Sequence, residues 1–405
     1  MLKSFVILSC LLGQSAPLDV TRYAPIYNEQ GGHPWDTVHK SFFVRTFTTG
    51  ETYYHRLSFD VPWSGFRRLS TSDTEYRTLL NQLTAIDQFP RQEMEDAAPV
   101  RRLIFYRDLW TIFDALKRMA SKERGEELRR RLVRIMKRLE LTDDDIRQLP
   151  DTLAMIREKP AFPESPDLEH PENPYLPTGL LNDNSDWISI STSKKSAMGA
   201  PGHTSSVNQR SLFSIHMHWP HGRKAGEEFI AANSNQSIVT FPSGTELALV
   251  RRAVAANTSG KLKVTNVVES LQLLVTPPAE IKHDARFKFV LDRSEFLAGQ
   301  PGLKALGLNS PVDAYSFESA GQWGMRQKQD ADGETLVLGR GKGHVGVPSM
   351  HHCVACHGVQ NTKFHANFAQ FHIYRSANAE LASALERRIE ESESWHEYLR
   401  LRENP

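Results

Sequence analysis

Cysteine is almost absent from this chain, and its distribution limits how the fold can be held together. Of the three cysteines in 405 residues, Cys10 lies near the N-terminus and the other two fall within one pentapeptide, Cys353-Val354-Ala355-Cys356-His357. A disulfide framework therefore cannot stabilise the fold. A hydrophobic core has to do so, and 40% hydrophobic residues over this length are enough for about two to three domains.

The N-terminus has the pattern of a short secretory signal peptide. Met1-Leu2-Lys3 is positively charged, residues 4–12 are mostly apolar, and residues 13–16 are small or polar residues suited to cleavage before Pro17. We expect residues 1–16 to be removed and the mature protein to be periplasmic or secreted. Two alternatives stay open: a buried N-terminal strand, and membrane anchoring through acylation of Cys10.

Charge and hydropathy argue against several classes of protein. Lys and Arg number 49 and Asp and Glu 48, so the net charge is +1, which argues against a nucleic-acid partner and against an acidic disordered chain. Beyond the leader, no apolar run approaches the roughly 18 to 20 residues of a membrane span. We therefore expect no transmembrane span.

Periodicity and composition predict an α+β fold in several parts. The predicted order is a mixed strand and helical domain over 17–159, a proline-rich linker over 160–179, an antiparallel, sandwich-like β domain over 180–292, and a C-terminal segment over 293–405. The linker is inferred from six prolines between Pro160 and Pro177, which no helix or central strand tolerates.

Individual elements follow from shorter patterns. Strands are predicted at 41–46 and 53–61 around a turn at 49–51, and at 187–190, 246–253, 262–268, 271–275 and 287–291. Helical periodicity covers 100–157, with Gly125 expected to separate two antiparallel helices and Thr142 with Asp145 expected to cap a third. Residues 293–350 are expected to be irregular, and residues 378–402 to form an amphipathic helix.

The pentapeptide matches the Cys-x-x-Cys-His signature for covalent attachment of c-type haem. Two thiols at this spacing can form thioether bonds with both vinyl groups of the porphyrin, and the next imidazole can ligate the iron. We therefore expect one covalent haem c per chain, bound through Cys353 and Cys356, with His357 as the proximal iron ligand. Random placement of three cysteines and sixteen histidines would give this pattern in roughly one sequence in 1,500.

Through residues 353–358 and the secretory leader, the chain resembles the c-type cytochromes. The resemblance implies single-electron transfer outside the cytoplasm, with a redox protein of unknown identity as partner. The chain departs from the small cytochrome c domain, whose motif lies near the start of the domain and is followed by a methionine ligand. Only 48 residues follow His357, and none is methionine. The distal ligand therefore cannot be carried over from that family.

The sixth position of the iron is thus undecided by the sequence. The distal candidates are His372, His344, Met350 and Met325, and an open position is the alternative. His351 and His352 are too close to the motif to cross the porphyrin. If a helix follows the motif, His365 lies about two turns beyond His357 on the same side of the ring.

The distal ligand decides the class of function. Ligation by a second histidine or a methionine gives an electron carrier, whereas an open site allows a haem enzyme such as a peroxidase or another small-molecule oxidoreductase. A third class is a zinc-stabilised extracytoplasmic binding protein, with Cys353, Cys356 and nearby histidines as ligands. A thioredoxin-like pair is disfavoured because no βαβ pattern surrounds residue 353.

Two weaker patterns carry alternative interpretations. On a strand, His216 and His218 point to one face, which suits copper or zinc, but no carboxylate or cysteine completes a site, so we favour a surface or haem-proximal strand with unligated imidazoles. Residues 117–138 contain ten Lys or Arg against three Glu. This stretch could dock an acidic redox partner, but we favour a solvated face of a helix pair.

Overall fold

The computed structural model describes residues 25–28, 32–46, 52–54, 66–117, 119–158, 162–167, 169–170, 173–191, 210–233, 239–276, 285–306, 326–329, 335–338, 363–364, 372–374, 382–383, 386–387 and 390–404. This part of the chain is a mixed α+β fold, which confirms the predicted class. Helices dominate its first half and an antiparallel sheet its second half. None of the helices described is long and apolar enough to cross a membrane.

The helices and strands have the following bounds. The helices are α1 (Pro34–Phe43), α2 (Phe66–Thr71), α3 (Asp73–Asp87), α4 (Arg91–Glu95), α5 (Pro99–Leu116), α6 (Lys122–Leu139), α7 (Asp143–Arg147), α8 (Thr152–Glu158), α9 (Arg223–Asn233), α10 (Arg293–Leu297) and α11 (Glu393–Glu403). The strands are β1 (Val44–Thr46), β2 (Thr52–Tyr54), β3 (Trp187–Ser191), β4 (Ser211–His218), β5 (Val239–Thr240), β6 (Glu246–Ala256), β7 (Leu262–Val275), β8 (Ala285–Leu291), β9 (Leu303–Leu306), β10 (Arg326–Gln329), β11 (Thr335–Leu338), β12 (Lys363–Phe364) and β13 (His372–Tyr374).

Seven strands form one antiparallel sheet in the order β13-β3-β4-β6-β7-β8-β9. The central strand β6 is buried along almost its whole length, which fits its run of Leu, Val and Ala residues. The pairs β1–β2, β10–β11 and β5–β12 lie outside this sheet.

Both faces of the sheet are covered. Within the described residues, helices and loops cover them. On one face, Met217 of β4 and Leu247 of β6 pack with Ile230 of α9. On the other, Phe287 and Phe289 of β8 meet aromatic rings of the proline-rich segment 162–180 at centroid distances of 5.1 Å. These elements take the place of a second large sheet, which corrects the sandwich-like expectation.

One hydrophobic cluster connects the helices to the sheet. It contains Trp110 of α5, Leu132 of α6, Val254 of β6, Leu271 of β7 and Trp395 of α11, each with at most 1% of its surface exposed. Residues from both sides of the proline-rich segment therefore share one core. The domain boundaries themselves stay a prediction.

The predicted first strand is wrong over residues 41–43, which belong to α1. Trp35, Val38 and Phe42 recur at helical spacing and are buried, so the helical face determines the structure there. The strand pairing itself is confirmed, because Val44–Thr46 pairs with Thr52–Tyr54. The expected turn at 49–51 and residues 55–61 fall outside the described residues.

Gly125 does not separate two helices, contrary to the prediction. It lies inside α6, which begins after Ser121, whose hydroxyl accepts a hydrogen bond from the Arg124 backbone N–H. A Cβ atom at Gly125 would lie 3.1 Å from the Leu116 carbonyl oxygen. The glycine therefore permits a close approach between α6 and the end of α5. The predicted capping box at Thr142 and Asp145 is confirmed.

The predicted strands 262–268 and 271–275 are one strand, β7. The β6–β7 register shifts at Arg251–Arg252, where β7 carries the extra residue Glu269, and Glu269 accepts hydrogen bonds from buried arginines at this point. The polar residues 269–270 therefore lie within one continuous strand, where Glu269 is part of a buried ion-pair cluster, and they do not form a turn. The expected irregular segment 293–350 also contains α10, β9 and the hairpin β10–β11.

The predicted C-terminal helix 378–402 is divided in two, because the described residues 382–383, 386–387 and 390 are helical as well as α11. A turn at 391–392 interrupts it, and Ser392 caps α11 by accepting a hydrogen bond from the Trp395 backbone N–H at 3.2 Å. The hydroxyl of Tyr398 donates to Glu140 at 2.7 Å, and Ser394 donates to Asp114. These contacts fix α11 on α5 and on the end of α6.

Residues just before α11 cover part of the edge of β7. The backbone N–H groups of Leu262 and Val264 donate to the carboxylates of Glu390 and Glu386, at 3.4 and 3.2 Å. Strand β8 pairs only with residues 270–275 of β7. Side-chain carboxylates thus occupy the position that a neighbouring strand would take beyond this point.

Candidate functional site

The predicted haem-attachment residues lie outside the described part of the chain. These residues are Cys353, Cys356 and His357. Cys10 and the distal candidates His344, Met350 and Met325 also lie outside it. The fourth distal candidate, His372, begins β13, where its backbone pairs with Ser191 of β3. Haem attachment therefore stays a prediction from the sequence.

The first described residues after the motif form a strand. Lys363 and Phe364 pair with Thr240 and Val239 as β12 and β5. Residues 363 and 364 are therefore not helical. The geometric argument against His365 depended on a helix that follows the motif through these residues, and it no longer applies.

The second histidine cluster lies on β4, and His216 within it is enclosed. The imidazole is 1% exposed, and its two ring nitrogens bond the hydroxyls of Ser189 and Ser214, both at 2.8 Å. Burial lowers the pKa of His216 to about 3, and the nearby charge of Arg252 acts in the same direction. This neutral, fully bonded imidazole has no nitrogen left for a metal ion.

His218, two residues further along the same face, has a different environment. Its Nδ1 lies 2.9 Å from Oε1 of Glu246, and its side chain is 32% exposed. Tyr175 donates its hydroxyl to the other carboxylate oxygen of Glu246 at 2.6 Å. The hydrogen bond to Glu246 raises the pKa of His218 above its ordinary value, although partial burial opposes this. The result is an accessible imidazole oriented by a carboxylate.

Neighbouring residues hold the His218 ring in place. The Trp187 ring lies 5.5 Å from it at an angle of 33°. Arg223 at the start of α9 donates to the backbone carbonyls of Ser185 and Trp187, at 3.2 and 3.0 Å. Helix α9 therefore fixes the start of β3, and with it the tryptophan that packs against the imidazole.

The sequence did not reveal the carboxylate beside His218. Glu246 is the first residue of β6 and lies directly opposite His218 in the β4–β6 register. His218 and Glu246 are 28 residues apart in the sequence, and only the pairing of β4 with β6 brings them together. Even so, the residues that the structure describes contain no group of three or more His, Cys, Asp or Glu side chains able to hold a metal ion.

The basic stretch 117–138 is largely engaged in contacts within the molecule. Arg124 pairs with Asp73 of α3, and Arg129 pairs with Glu397 of α11 while its guanidinium lies 4.1 Å from the Phe113 ring centroid. Other members bond Asp87, Phe89, Thr84 and Arg402. This stretch connects α6 to α3 and α11, so it is neither a free docking patch nor only a solvated face.

A buried ion-pair cluster connects α5 to the sheet. Both carboxylate oxygens of Glu269 accept from Arg107, at 3.0 and 3.3 Å, and Oε2 also lies 2.8 Å from Nε of Arg251. Ser211 donates to Glu269 at 2.6 Å. All four residues are at most 3% exposed. Paired charges at this depth position α5 against the β6–β7 bulge.

Comparison with known proteins adds no family to this description: no family model, no curated protein and no solved structure matches the chain.

Proposed function

We propose that the chain is a monohaem c-type cytochrome that transfers single electrons outside the cytoplasm. The observation that carries the proposal is the pentapeptide Cys353–His357, which contains both cysteines that remain once residues 1–16 are removed. Cys353 and Cys356 would form the thioether bonds, and His357 would ligate the iron.

The donor set fits a covalently attached haem. Two thiols and one imidazole are the groups that thioether attachment and proximal ligation require. When bound, the haem supplies a one-electron couple. The chain contributes the axial imidazole, the covalent anchors and the burial and local charge that set the reduction potential.

The pairing of the segments after the motif with other strands supports a site held close to the fold. Lys363 lies six residues after His357, a length that spans at most about 21 Å, and it is paired with Thr240. Strand β13 joins the edge of the large sheet nine residues further on. A redox centre held close to a rigid sheet needs little rearrangement between its two oxidation states.

The second histidine cluster on β4 is poorly suited to a zinc or copper site, which leaves the pentapeptide as the better candidate for a cofactor site. Both ring nitrogens of His216 are bonded to serine hydroxyls, so the pair His216 and His218 does not offer two ligands to one ion. This observation favours the pentapeptide as the cofactor site.

The proposal predicts that covalent haem depends on two specific thiols. Cys353→Ser combined with Cys356→Ser should abolish the c-type band in a reduced pyridine haemochrome, after expression in a host that attaches haem, because both thioether bonds are lost. Far-UV circular dichroism should show the sheet retained. The control Cys10→Ser changes only the cysteine of the leader, leaves both motif thiols in place and should keep full haem content.

A colourless wild-type protein from such a host would overturn the proposal. So would a double variant that retains haem through denaturing electrophoresis. Addition of carbon monoxide or cyanide then separates the carrier from a haem enzyme with an open distal site, since only an open site changes its spectrum.

A further inference from the structure

We propose that Tyr175 of the proline-rich segment is a redox-active tyrosine, which gives one electron to a strong oxidant while its phenolic proton moves to Glu246. The cluster that supports this step consists of Tyr175, Glu246 and His218. All three lie in the described part of the chain, so the inference does not depend on the proposed haem.

Oxidation of a tyrosine requires an acceptor for its proton. The O–H bond of Tyr175 breaks, an O–H bond forms at Oε2 of Glu246, and one electron passes to the oxidant. The products are a neutral tyrosyl radical and a protonated Glu246. The proton moves along an existing hydrogen bond, because the Tyr175 hydroxyl already donates to Oε2 at 2.6 Å.

Glu246 differs from the other carboxylates that accept from tyrosine in the described part of the chain. The pairs there are Tyr27–Asp108, Tyr76–Glu127, Tyr398–Glu140 and Tyr175–Glu246. The first three carboxylates form ion pairs with Arg293, Arg131 and Arg402, respectively. A guanidinium stabilises the ionised carboxylate and lowers its affinity for a proton. Among the described residues, Glu246 pairs with an imidazole instead, so it is the best proton acceptor of the four.

The surroundings of Tyr175 would protect a radical. The side chain is 0% exposed, and the Phe287 ring lies 5.1 Å from its ring, centroid to centroid, at an angle of 87°. Burial and the nearby charge of Glu246 raise the pKa of Tyr175, so the phenol stays protonated until it is oxidised. Loss of an electron makes the phenol a strong acid, and Glu246 then takes the proton.

His218 connects this buried pair to the surface. Its Nδ1 lies 2.9 Å from Oε1 of Glu246, and its side chain is 32% exposed. Two hydrogen bonds therefore lead from the Tyr175 hydroxyl through the carboxylate to an accessible imidazole. An oxidant beside His218 is joined to the tyrosine by this short path, which favours electron transfer.

The charge of His218 controls how readily Glu246 takes the proton. Glu246 on β6 and Asp186 before β3 face the imidazole, and the hydrogen bond to Glu246 raises the pKa of His218. Below that pKa, the imidazolium pairs with the carboxylate and lowers its proton affinity. Above it, the neutral ring removes this competition. We therefore expect the yield of the tyrosyl radical to rise with pH across the titration of His218.

Photo-oxidation of the full chain tests the proposal. The protein is first oxidised with ferricyanide, and a light flash with a sacrificial acceptor then generates ruthenium(III) tris-bipyridine, a strong one-electron oxidant. We expect the paramagnetic resonance spectrum of a neutral tyrosyl radical, and its loss in Tyr175→Phe and in Glu246→Gln. The matched control Tyr398→Phe removes a buried tyrosine whose carboxylate is paired with Arg402, and it should keep the wild-type signal.

Circular dichroism establishes that the variants fold, and a wild-type measurement covers the case in which they do not. Radical formation in the wild type should be slower in heavy water, because a proton moves with the electron. Equal rates in both solvents overturn the proposal. So does a wild type without a tyrosyl signal, or a signal of wild-type size in Tyr175→Phe or Glu246→Gln.

His218→Ala tests the role of the imidazole separately. It should keep the radical, because Tyr175 and Glu246 remain, and lose the dependence on pH. A pH profile equal to that of the wild type overturns the role of His218. Haem content changes none of these outcomes, so failure of this inference and failure of the proposed function are distinguishable.

Discussion

At the scale of single residues, the surroundings give identical side chains opposite properties. His216 and His218 lie on one face of β4, two residues apart. One is enclosed between two serine hydroxyls with its pKa lowered to about 3, and the other is oriented by Glu246 with its pKa raised. Sequence spacing predicts the shared face, but it cannot predict these environments, because they depend on β3 and β6.

The buried His216 predicts acid sensitivity of folding. Its pKa is about 3 in the folded protein and 6.5 in the unfolded chain, so the unfolded chain binds the proton more tightly. The contribution of His216 to stability is complete above pH 6.5 and falls with decreasing pH, by about 1.4 kcal/mol per pH unit, until pH reaches about 3.

Urea denaturation of the protein at pH 7, 6, 5 and 4 measures this dependence. His216→Asn keeps a neutral hydrogen-bonding group and should show a weaker pH dependence of the unfolding free energy than the wild type. Equal slopes for both proteins over this range would contradict the prediction.

The ion-pair cluster at Glu269 makes a second prediction at residue scale. Glu269→Gln removes the negative charge shared by Arg107 and Arg251 while keeping a similar shape. Buried guanidinium groups without their counter-charge should lower the free energy of unfolding by about 3–5 kcal/mol.

Guanidinium or urea denaturation checks the Glu269 prediction. The control Glu126→Gln removes a carboxylate from an exposed pair with Arg130 on α6 and should leave the denaturation midpoint unchanged. A Glu269→Gln protein as stable as this control would show that the buried charges are compensated in another way.

At the scale of elements, close packing decides where small residues are required. Helix α9 lies against β3 and β4, and a Cβ atom at Gly226 would lie 2.7 Å from Cδ1 of Ile188 and 3.0 Å from Cβ of Trp219. Both distances are shorter than ordinary van der Waals contact. Gly226 therefore allows α9 to approach the face of the sheet that carries Ile188 and Met217.

We expect a larger residue in place of this glycine to push α9 away from the sheet. Gly226→Ala should gain about 1 kcal/mol in helix propensity, but overpacking costs about 1–3 kcal/mol, so we expect a net loss of stability. Thermal unfolding followed by circular dichroism measures it. Lys224→Ala, on the exposed side of the same helix, should leave the melting temperature unchanged, and a more stable Gly226→Ala protein would contradict the close approach.

Sequence patterns predicted elements well where local chemistry decides the structure. The Thr142 capping box, the strand at Trp187 and the strand at Phe287 follow from side chains within a few residues. The errors arose where distant contacts decide. The local pattern predicts a break at Gly125 because it does not show the close neighbour of this glycine, the end of α5. Glu269 interrupted a strand pattern because its buried partners come from α5 and β6.

At the scale of the whole molecule, α11 completes the core. Trp395 lies 5.5 Å from Trp110 of α5, and Tyr398 and Arg402 both bond Glu140 after the end of α6. The sequence predicts an amphipathic C-terminal helix, but the pattern does not show which surface this helix covers. The helix spans the gap between α5 and α6.

Removal of α11 should therefore destabilise the helical half of the molecule. A chain ending at Glu391 exposes Trp110 and leaves Glu140 without Tyr398 and Arg402, so we expect a lower melting temperature and a loss of near-ultraviolet circular dichroism. A chain ending at Glu403 keeps the helix and should behave as the wild type. Equal melting temperatures for the two truncated proteins would show that α11 is dispensable for the fold.

The glutamates along β7 have a consequence for the behaviour of the molecule in a crowded compartment. An uncovered strand edge is a template on which a second polypeptide can pair, and natural proteins obstruct such edges with charge. Glu386 and Glu390 satisfy the outward N–H groups of Leu262 and Val264 and bring negative charge to the rim. We therefore expect the two residues that dock this segment also to hinder a second copy from pairing with the edge of β7.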